Sequence, residues 1–243
     1  MNILAMSDLH GRIPKLPPYI LSSRIDAMIL GGDITPNFSA NWDTSRWKDR
    51  RVNVVGEAAD QKTWFIEKFM PWTKKFKELN HILFVAGNHD WVDAHDVEGV
   101  EFLKTGSKTV TIDEIKIGML AGSMRYSGEW HDEVDEYEMN ERIKVLDQDI
   151  DILISHVPPM GVRDLTNSGH RIGCVKLREA IFGISSAFDS DQQIVSPFFS
   201  NLQHHFFGHV HERNGSESQD IDGRTVNFHN AAETYKILEF NKD

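Results

Sequence analysis

Residues 81–91 read HILFVAGNHDW, a short apolar run followed by a glycine and then by an amide, an imidazole and a carboxylate. The apolar run 82–85 is β-branched and aromatic and too short for a helix, which predicts a buried strand of a parallel sheet. A surface turn is the simplest alternative for Gly87 and Asn88, since this pair is common in turns. The stretch is decisive only if other strands end in the same way.

Four more apolar runs of the chain do end in this way. They are 3–6 before SDLHG, 27–30 before GGD, 152–154 before SH, and 206–207 before GHVH. In open α/β sheets the carboxyl ends of the strands line one edge, and ligands bind just beyond that edge. We therefore expect polar residues that are scattered from position 8 to position 211 to converge in space.

The segments between these runs alternate in hydrophobic period. Residues 57–79 have a helical period that Pro71 should kink, and 108–112 with 115–120 are typical of a β-hairpin. The remaining predictions are helices at 138–146 and 174–181, strands at 224–228 and 235–240, and a turn-rich segment at 214–223. Interleaved strands and helices with some antiparallel pairing predict an α/β fold of two mixed sheets packed face to face, flanked by helices.

Length and composition narrow the class of protein. The 243 residues fit a single domain over 1–243, and 26 basic against 37 acidic residues give a net charge of −11, which argues against a nucleic acid polymer as partner. The single cysteine, Cys174, excludes an intrachain disulfide and favours a reducing compartment. No basic leader and no apolar run of membrane-spanning length is seen, so we expect a cytoplasmic protein without a membrane partner.

The side chains at the strand ends form a mixed oxygen and nitrogen ligand set. They are Asp8, His10, Asp33, Asn88, His89, His156, His209 and His211. Such a set suits Mn²⁺, Fe, Zn²⁺ or Ni²⁺ and lacks the thiolates of a structural zinc site. There are more potential ligands than one ion needs, which favours two ions sharing a carboxylate, and Asp33 after its two glycines is the candidate bridge.

The motif series D-x-H, G-D, G-N-H-D, H and G-H-x-H, at 8–10, 32–33, 87–90, 156 and 208–211, resembles the calcineurin-like metallophosphoesterase superfamily. The segments ILISHVPPMGVRD, HRIGCVKL and FFGHVHERNG further resemble its branch of small phosphodiesterases related to the metallophosphoesterase-domain-containing proteins. This resemblance implies a four-layer α/β-β-α sandwich with a dimetal site at the carboxyl ends of the strands.

The resemblance also implies a role for each motif residue. The first metal would be held by Asp8, His10, Asp33 and His211, and the second by Asp33, Asn88, His156 and His209. His89 would donate a hydrogen bond in the transition state and act as general acid, with Asp90 orienting its ring. The ions would be divalent transition metals, with Mn²⁺ favoured and Fe, Zn or Ni as alternatives.

The resulting hypothesis is hydrolysis of small phosphodiesters, such as cyclic nucleotides, by a metal-bound hydroxide. A phosphomonoesterase, a nuclease and a non-catalytic scaffold on the same fold are the alternatives. The arginines that clamp phosphate in the superfamily's protein phosphatases are absent beside the motifs, which leaves Arg163 as the candidate substrate-binding cation. The cluster at 42–51 is interpreted as a solvated loop, with a role at the rim of the site as the alternative, and the acidic run 131–141 as a solvated face.

Overall fold

The computed structural model describes residues 1–38, 54–185, 193–194 and 196–240. The strands are β1 Asn2–Met6, β2 Ala27–Leu30, β3 His81–Val85, β4 Val100–Leu103, β5 Ser107–Ile112, β6 Ile115–Leu120, β7 Ser123–Met124, β8 Glu133–Val134, β9 Ile152–Ser155, β10 Ile184–Ser185, β11 Gln193–Ile194, β12 His204–Phe207, β13 Gly215–Ile221, β14 Arg224–Asn230 and β15 Tyr235–Glu239. The helices are α1 Pro18–Ser22, α2 Val54–Trp64, a π-helical turn Phe65–Phe69, α3 Met70–Thr73, α4 Glu136–Val145, α5 Val175–Phe182 and a 3₁₀ turn His211–Arg213.

Two mixed sheets form the centre of the fold. The first has the order β15-β1-β2-β3-β4, with β15 antiparallel to β1 and the other pairs parallel. The second has the order β13-β14-β12-β9-β6-β5, parallel from β14 to β6 and antiparallel at both edges. The predicted pair of mixed sheets with helices is confirmed.

The layers follow from the alternation of side chains along each strand. Ile3 and Ala5 of β1 belong to an apolar core shared with Ile154 of the second sheet, so this core lies between the sheets. Leu4 of the same strand packs in a separate cluster with Phe65 beside α2. A third cluster joins the outer face of the second sheet to α4 and α5. The order of layers is therefore helix, sheet, sheet, helix.

Local predictions from the sequence are mostly confirmed. The hairpin is the antiparallel pair β5 and β6, and the long helical segment is divided by the π-helical turn that precedes Pro71. Segment 214–223 is different, because Gly215–Ile221 is a seven-residue strand paired along its length with β14. Its side chains are polar and alternate between exposed and half-buried, as at a sheet edge, so the composition of a turn concealed a strand.

The acidic run 131–141 is also different from the prediction of a solvated face. His131, Val134 and Met139 within it are buried, and Asp132 forms a two-pronged ion pair with Arg142 at 2.6 and 2.8 Å. The run therefore contributes buried side chains and an ion pair to the packing of the molecule, and is not only a solvated face. The cluster at 42–51 lies outside the described residues, and within the described ranges no helix is both long and apolar enough to span a membrane.

Candidate metal centre

The predicted ligands all follow strands, and the structure brings them together. Asp8, Asp33 and Asn88 come after β1, β2 and β3, which are neighbours in the first sheet. His156 and His209 come after β9 and β12, which are neighbours in the second sheet. The carboxyl ends of both sheets therefore meet at one edge of the molecule.

Hydrogen bonds between the two sheets fix this meeting point. The backbone N–H of His209 donates to Oδ2 of Asp8 at 2.9 Å, and Nδ1 of His156 lies 2.9 Å from the carbonyl oxygen of Gly31. The second contact requires the proton of His156 on Nδ1, since a carbonyl oxygen only accepts. Nε2 of His156 is thereby turned toward the cluster, where a bound cation would take the place of a proton, the arrangement by which proteins orient metal-binding imidazoles.

One trio of ligand atoms comes from Asp8, His10 and His211, all within 4.8 Å of one another. Nε2 of His211 is 3.1 Å from Oδ1 of Asp8 and 3.4 Å from Nε2 of His10. The other oxygen of Asp8 accepts from Ser7 at 2.6 Å. One carboxylate oxygen is thus held by the fold while the other faces the two imidazoles.

Asp33 lies at the junction of two further trios, one with Asp8 and His156 and one with His10 and His89. Its Oδ2 is 3.5 Å from Nε2 of His156, 3.9 Å from Nε2 of His10 and 4.0 Å from Nε2 of His89. Its Oδ1 accepts the backbone N–H of His89 at 2.8 Å. A single oxygen therefore faces ligands of both predicted sets, as in one of the ways in which a carboxylate can bridge two ions.

The remaining predicted ligands converge on His156. Oδ1 of Asn88 is 3.0 Å and Nδ1 of His209 is 3.1 Å from Nε2 of His156. Asn88 is buried to 8% exposure, and it supplies a neutral oxygen to a group that already contains two carboxylates.

The backbone is strained at this edge. Asp8, His10, Asp33 and His209 have φ of 55°, 45°, 54° and 69°, in the left-handed region that non-glycine residues rarely adopt. Each such residue costs about 1–3 kcal/mol, and strain of this kind accumulates at functional sites. A Cβ on Gly208 would lie 2.0 Å from Oδ2 of Asp8, so the close approach of the chain requires glycine there.

Charges within the cluster show that it favours a cation. Burial favours the neutral form of Asp33, yet the imidazoles around it, His156 first, hold the pKa of its carboxyl well below the usual value. Burial likewise disfavours charged His156, but Asp33 and Asp8 raise the pKa of His156 to about 10. Burial and the charge of His156 together lower the pKa of His209 to about 4. The two carboxylates therefore favour positive charge at His156, while the imidazole of His209 stays neutral near pH 7.

This donor set fits divalent transition metals. Such ions supply the positive charge that the carboxylates favour, and neutral imidazole nitrogens together with carboxylate and amide oxygens suit Mn, Fe, Zn or Ni. Within the described residues the acid and histidine groups that could hold an ion are the three trios described above, and all belong to this cluster.

His89 borders the cluster, and its ring contacts differ from the expectation. Nδ1 of His89 is 3.2 Å from Oδ1 of Asn37, a residue that the sequence motifs did not indicate. The carboxylate of Asp90 accepts instead from the backbone N–H groups of Ile34, Thr35 and Gly87 at 2.9–3.1 Å. Asp90 therefore ties the loop after β2 to the loop after β3, and Asn37 is one partner of the His89 ring.

Arg163 is engaged with the backbone outside the ligand trios. Its guanidinium donates to the carbonyl oxygens of Arg213, Asn214 and Ser216 at 2.6–3.2 Å and lies 3.4 Å from Glu217. These contacts anchor the start of β13. They do not bring Arg163 into the group of carboxylates and imidazoles.

A cleft of about 680 Å³ opens beside Asn88, His89 and His209. Its outer wall includes Arg125 and Trp130, which belong to the segment after β7 and were missed from the sequence. No motif or hydrophobic periodicity in the sequence identifies these two residues, because their position at the cleft depends on the conformation of the segment.

The cluster of imidazoles and carboxylates lies at the carboxyl edge of two packed mixed sheets and could hold metal ions. The sequence profile described as calcineurin-like phosphoesterase matches residues 1–213. The chain therefore belongs to the calcineurin-like phosphoesterase family, as its motifs predict, and family membership supports metal-dependent hydrolysis of phosphoesters.

Individual similar proteins are more distant. UPF0046 protein T07D4.2 of Caenorhabditis elegans is 24% identical over 221 residues, which are 85% of this chain and 50% of that protein, so the chain spans about half the length of this curated relative. Among solved structures, vacuolar protein sorting 29 of Cryptosporidium parvum matches with TM-score 0.39 and 14% identity over 99% of this chain and 86% of that one. NAD nucleotidase of Haemophilus influenzae matches with TM-score 0.43 and 10% identity over 98% and 49%.

Proposed function

We propose that this chain is a dimetal phosphodiesterase that acts on small substrates such as cyclic nucleotides. The observation that carries the proposal is Oδ2 of Asp33, which faces imidazole nitrogens of both predicted ligand sets at 3.5–4.0 Å. The first set is Asp8, His10, Asp33 and His211, and the second is Asp33, Asn88, His156 and His209. Bound ions, with Mn²⁺ favoured over Fe, Zn or Ni, would activate water and stabilise charge on the phosphoryl oxygens.

His89 is proposed as the general acid. Its ring is about one-fifth exposed and borders both the cluster and the cleft, which supports access of the ring to the oxygen of a departing ester group. If Nδ1 donates to Asn37, then Nε2 is the nitrogen turned toward the cluster. Asn37 thus positions the ring, while Asp90 supports the loops that carry Asp33 and His89.

The preference for diesters follows from the cations of the site. A monoester dianion has more charge on its non-bridging oxygens than a diester, and an enzyme for monoesters gains from arginine clamps beside the metals. The one candidate from the sequence, Arg163, donates to three backbone carbonyls instead. A diester monoanion needs less neutralisation but must expel an alkoxide or aryloxide, which a general acid assists.

Small substrates are favoured by the charge of the whole chain. A net charge of −11 disfavours docking of a nucleic acid polymer along the surface.

We also propose a cytoplasmic location, supported by the single cysteine of the chain. This cysteine, Cys174, is buried, and burial and Glu136 raise the pKa of its thiol well above the usual value.

The test compares bis(4-nitrophenyl) phosphate, 4-nitrophenyl phosphate and a cyclic nucleotide on chelator-stripped protein reloaded with Mn²⁺, with bound metal measured by elemental analysis. We expect two ions per chain and a higher kcat/KM for the diester. A clear advantage for the monoester would identify a phosphomonoesterase, and cleavage of single-stranded DNA in preference to small diesters would identify a nuclease. Metal binding without hydrolysis of any substrate would support the scaffold alternative.

A further inference from the structure

The cleft beside the metal cluster has a wall whose chemistry the proposed reaction does not require. Asn88, His89 and His209 form its inner side, and the segment from Ser123 to Glu136 forms much of its outer side. At about 680 Å³ it is far larger than a phosphate group and is of the size that holds a whole small molecule. The residues that line the cleft therefore indicate which groups of the substrate, beyond its phosphate, would fit there.

Trp130 is the side chain of this wall that lies against the catalytic candidate. Its ring centroid is 4.3 Å from that of His89, with an interplanar angle of 40°. The indole is partly exposed and borders the cleft. A ligand whose leaving oxygen meets His89 would place the adjoining atoms of its ester group beside Trp130.

Hydrogen bonds hold the backbone of the segment that carries Trp130. The carboxylate of Glu133 accepts from the backbone N–H groups of Tyr126, Ser127 and Trp130 at 2.9–3.3 Å. The N–H of His131 donates to the carbonyl oxygen of Asn88 at 3.0 Å. The segment is thereby joined directly to the loop of a predicted metal ligand, which holds the backbone of Trp130 beside the cluster.

Arg125 adds a cation to the same wall. It is exposed and borders the cleft, and in the described ranges no hydrogen bond or ion pair involves its guanidinium. The neighbouring arginines differ, because Arg171 pairs with Asp164 and Arg142 pairs with Asp132. Arg125 is therefore available to an anionic or oxygen-bearing group of a ligand.

We propose that this cleft binds a planar aromatic group attached to the scissile phosphate, stacked on Trp130, with Arg125 contacting an anionic or oxygen-bearing substituent of that group. The substrate class is then an aryl or heterocyclic phosphoester. This inference rests on the proposed phosphoesterase function. Stacking of a planar ring on an aromatic side chain is worth about 1–3 kcal/mol, which corresponds to roughly 5- to 150-fold in affinity.

The test uses phenylphosphonate and methylphosphonate, whose carbon–phosphorus bonds are not cleaved by hydrolysis of esters. Their dissociation constants on Mn²⁺-loaded protein are measured by calorimetry, which needs no turnover. We expect phenylphosphonate to bind at least about 5-fold more tightly. Trp130→Ala should abolish this ratio and Trp130→Phe should keep most of it, whereas Tyr137→Ala, which removes an exposed aromatic ring of α4, should leave it unchanged.

Arg125 is tested with 4-carboxyphenylphosphonate against phenylphosphonate. The carboxylate should improve binding by about 2- to 5-fold, the range of an exposed ion pair, and Arg125→Gln should remove that gain. Arg24→Gln is the matched control, since Arg24 is an exposed arginine paired with Asp26 in the turn that precedes β2.

The outcomes separate this inference from the proposed function. A ratio of phenyl to methyl affinity near one in the wild-type protein, or a ratio that Trp130→Ala does not change, overturns the aromatic cleft even if the protein hydrolyses diesters. Absence of hydrolysis with an intact, Trp130-dependent ratio overturns the proposed function and keeps the cleft. Because the wild-type ratio is decisive without any variant, a variant that fails to fold does not block the test.

Discussion

Segment 204–211, HHFFGHVH, contains histidines of two opposite kinds within eight residues. His209 and His211 follow β12 and join the carboxylates of the metal cluster. His204 and His205 lie within β12, where His204 contacts His229 at 3.0 Å and His205 contacts Ser155 at 2.8 Å. The two pairs are neighbours in sequence and differ in what surrounds them.

The surroundings decide which kind of histidine each one is. In the cluster, hydrogen bonding to Asp8 raises the pKa of His211, whereas burial and His156 lower that of His209 to about 4 although its backbone N–H donates to Asp8. Inside the sheet, burial lowers the pKa of His204 to about 4 and that of His205 to about 3. The comparison shows what distinguishes a metal site from a packed histidine cluster. The difference is the presence of carboxylates next to the histidines, and not the number of histidines.

Asp33→Asn gives the largest expected effect on this comparison. The variant keeps an oxygen for the N–H of His89 but removes the charge that faces both ligand sets, so both ions should be lost and activity should fall by more than about 10⁴-fold, beyond the loss of one acid–base group. Elemental analysis and kcat on Mn²⁺-loaded protein measure this. Asp151→Asn, a buried carboxylate that accepts from the N–H of Lys116, is the matched control. Retention of one tightly bound ion by Asp33→Asn would argue against the bridge.

His89→Asn tests whether a histidine beside the cluster is a ligand. We expect kcat to fall by about 10²–10⁴-fold, the range of a general acid, with metal content nearly unchanged. His95→Asn, an exposed histidine paired with Asp93, should alter neither. Because the His89 nitrogen lies in one ligand trio with His10 and Asp33, loss of metal in proportion to activity would move His89 into the ligand set.

Asn37→Leu tests the positioning of His89. Removing the oxygen 3.2 Å from Nδ1 should lower kcat by about 10- to 100-fold, as for groups that orient ligands, while KM and metal content change little. Asn37→Asp retains an acceptor and should recover most of kcat. If Leu and Asp are equally damaging, the contact with His89 is not what matters at this position.

The packed histidines should act on stability instead of catalysis. A folded-state pKa of about 3 for His205, below the unfolded value of about 6.5, gives stability that is complete above pH 6.5 and falls as the pH drops. The loss is roughly 2 kcal/mol at pH 5. His205→Leu should flatten the dependence by about this amount, measured by urea unfolding of metal-free wild type and variant at pH 7 and pH 5. An equally steep dependence in the variant would assign the effect to other groups.

Much of the fold was predictable because strand ends carry a visible signature. Apolar runs that end in ligand-type residues indicate both the strands and the edge at which they meet, so the convergence of Asp8, Asp33 and His156 could be expected from the sequence. The strand β13 was not predicted, since its polar residues satisfy an exposed sheet edge and resemble a turn.

Supporting contacts were harder to predict than the ligands. Asp90 accepts hydrogen bonds from backbone N–H groups, and Asn37 contacts His89, because of how the loops fold. No motif or residue spacing in the sequence predicts such loop contacts. Trp130 similarly lies at the cleft because Glu133 and Asn88 hold its segment. The acidic run 131–141 was interpreted as a solvated face from its composition, whereas several of its side chains are buried in the structure.

The distribution of the ligands along the chain has a consequence for biosynthesis. Asp8 must wait for His209 and His211, because their contacts join the first strand of the chain to residues more than 200 positions later. β1 likewise pairs with β15. A ribosome-bound chain that has not yet released β12 therefore has only part of either ligand set. If the cluster binds metal as proposed, loading would accordingly be a late event, open to competition among whichever ions are present when synthesis of this region is complete.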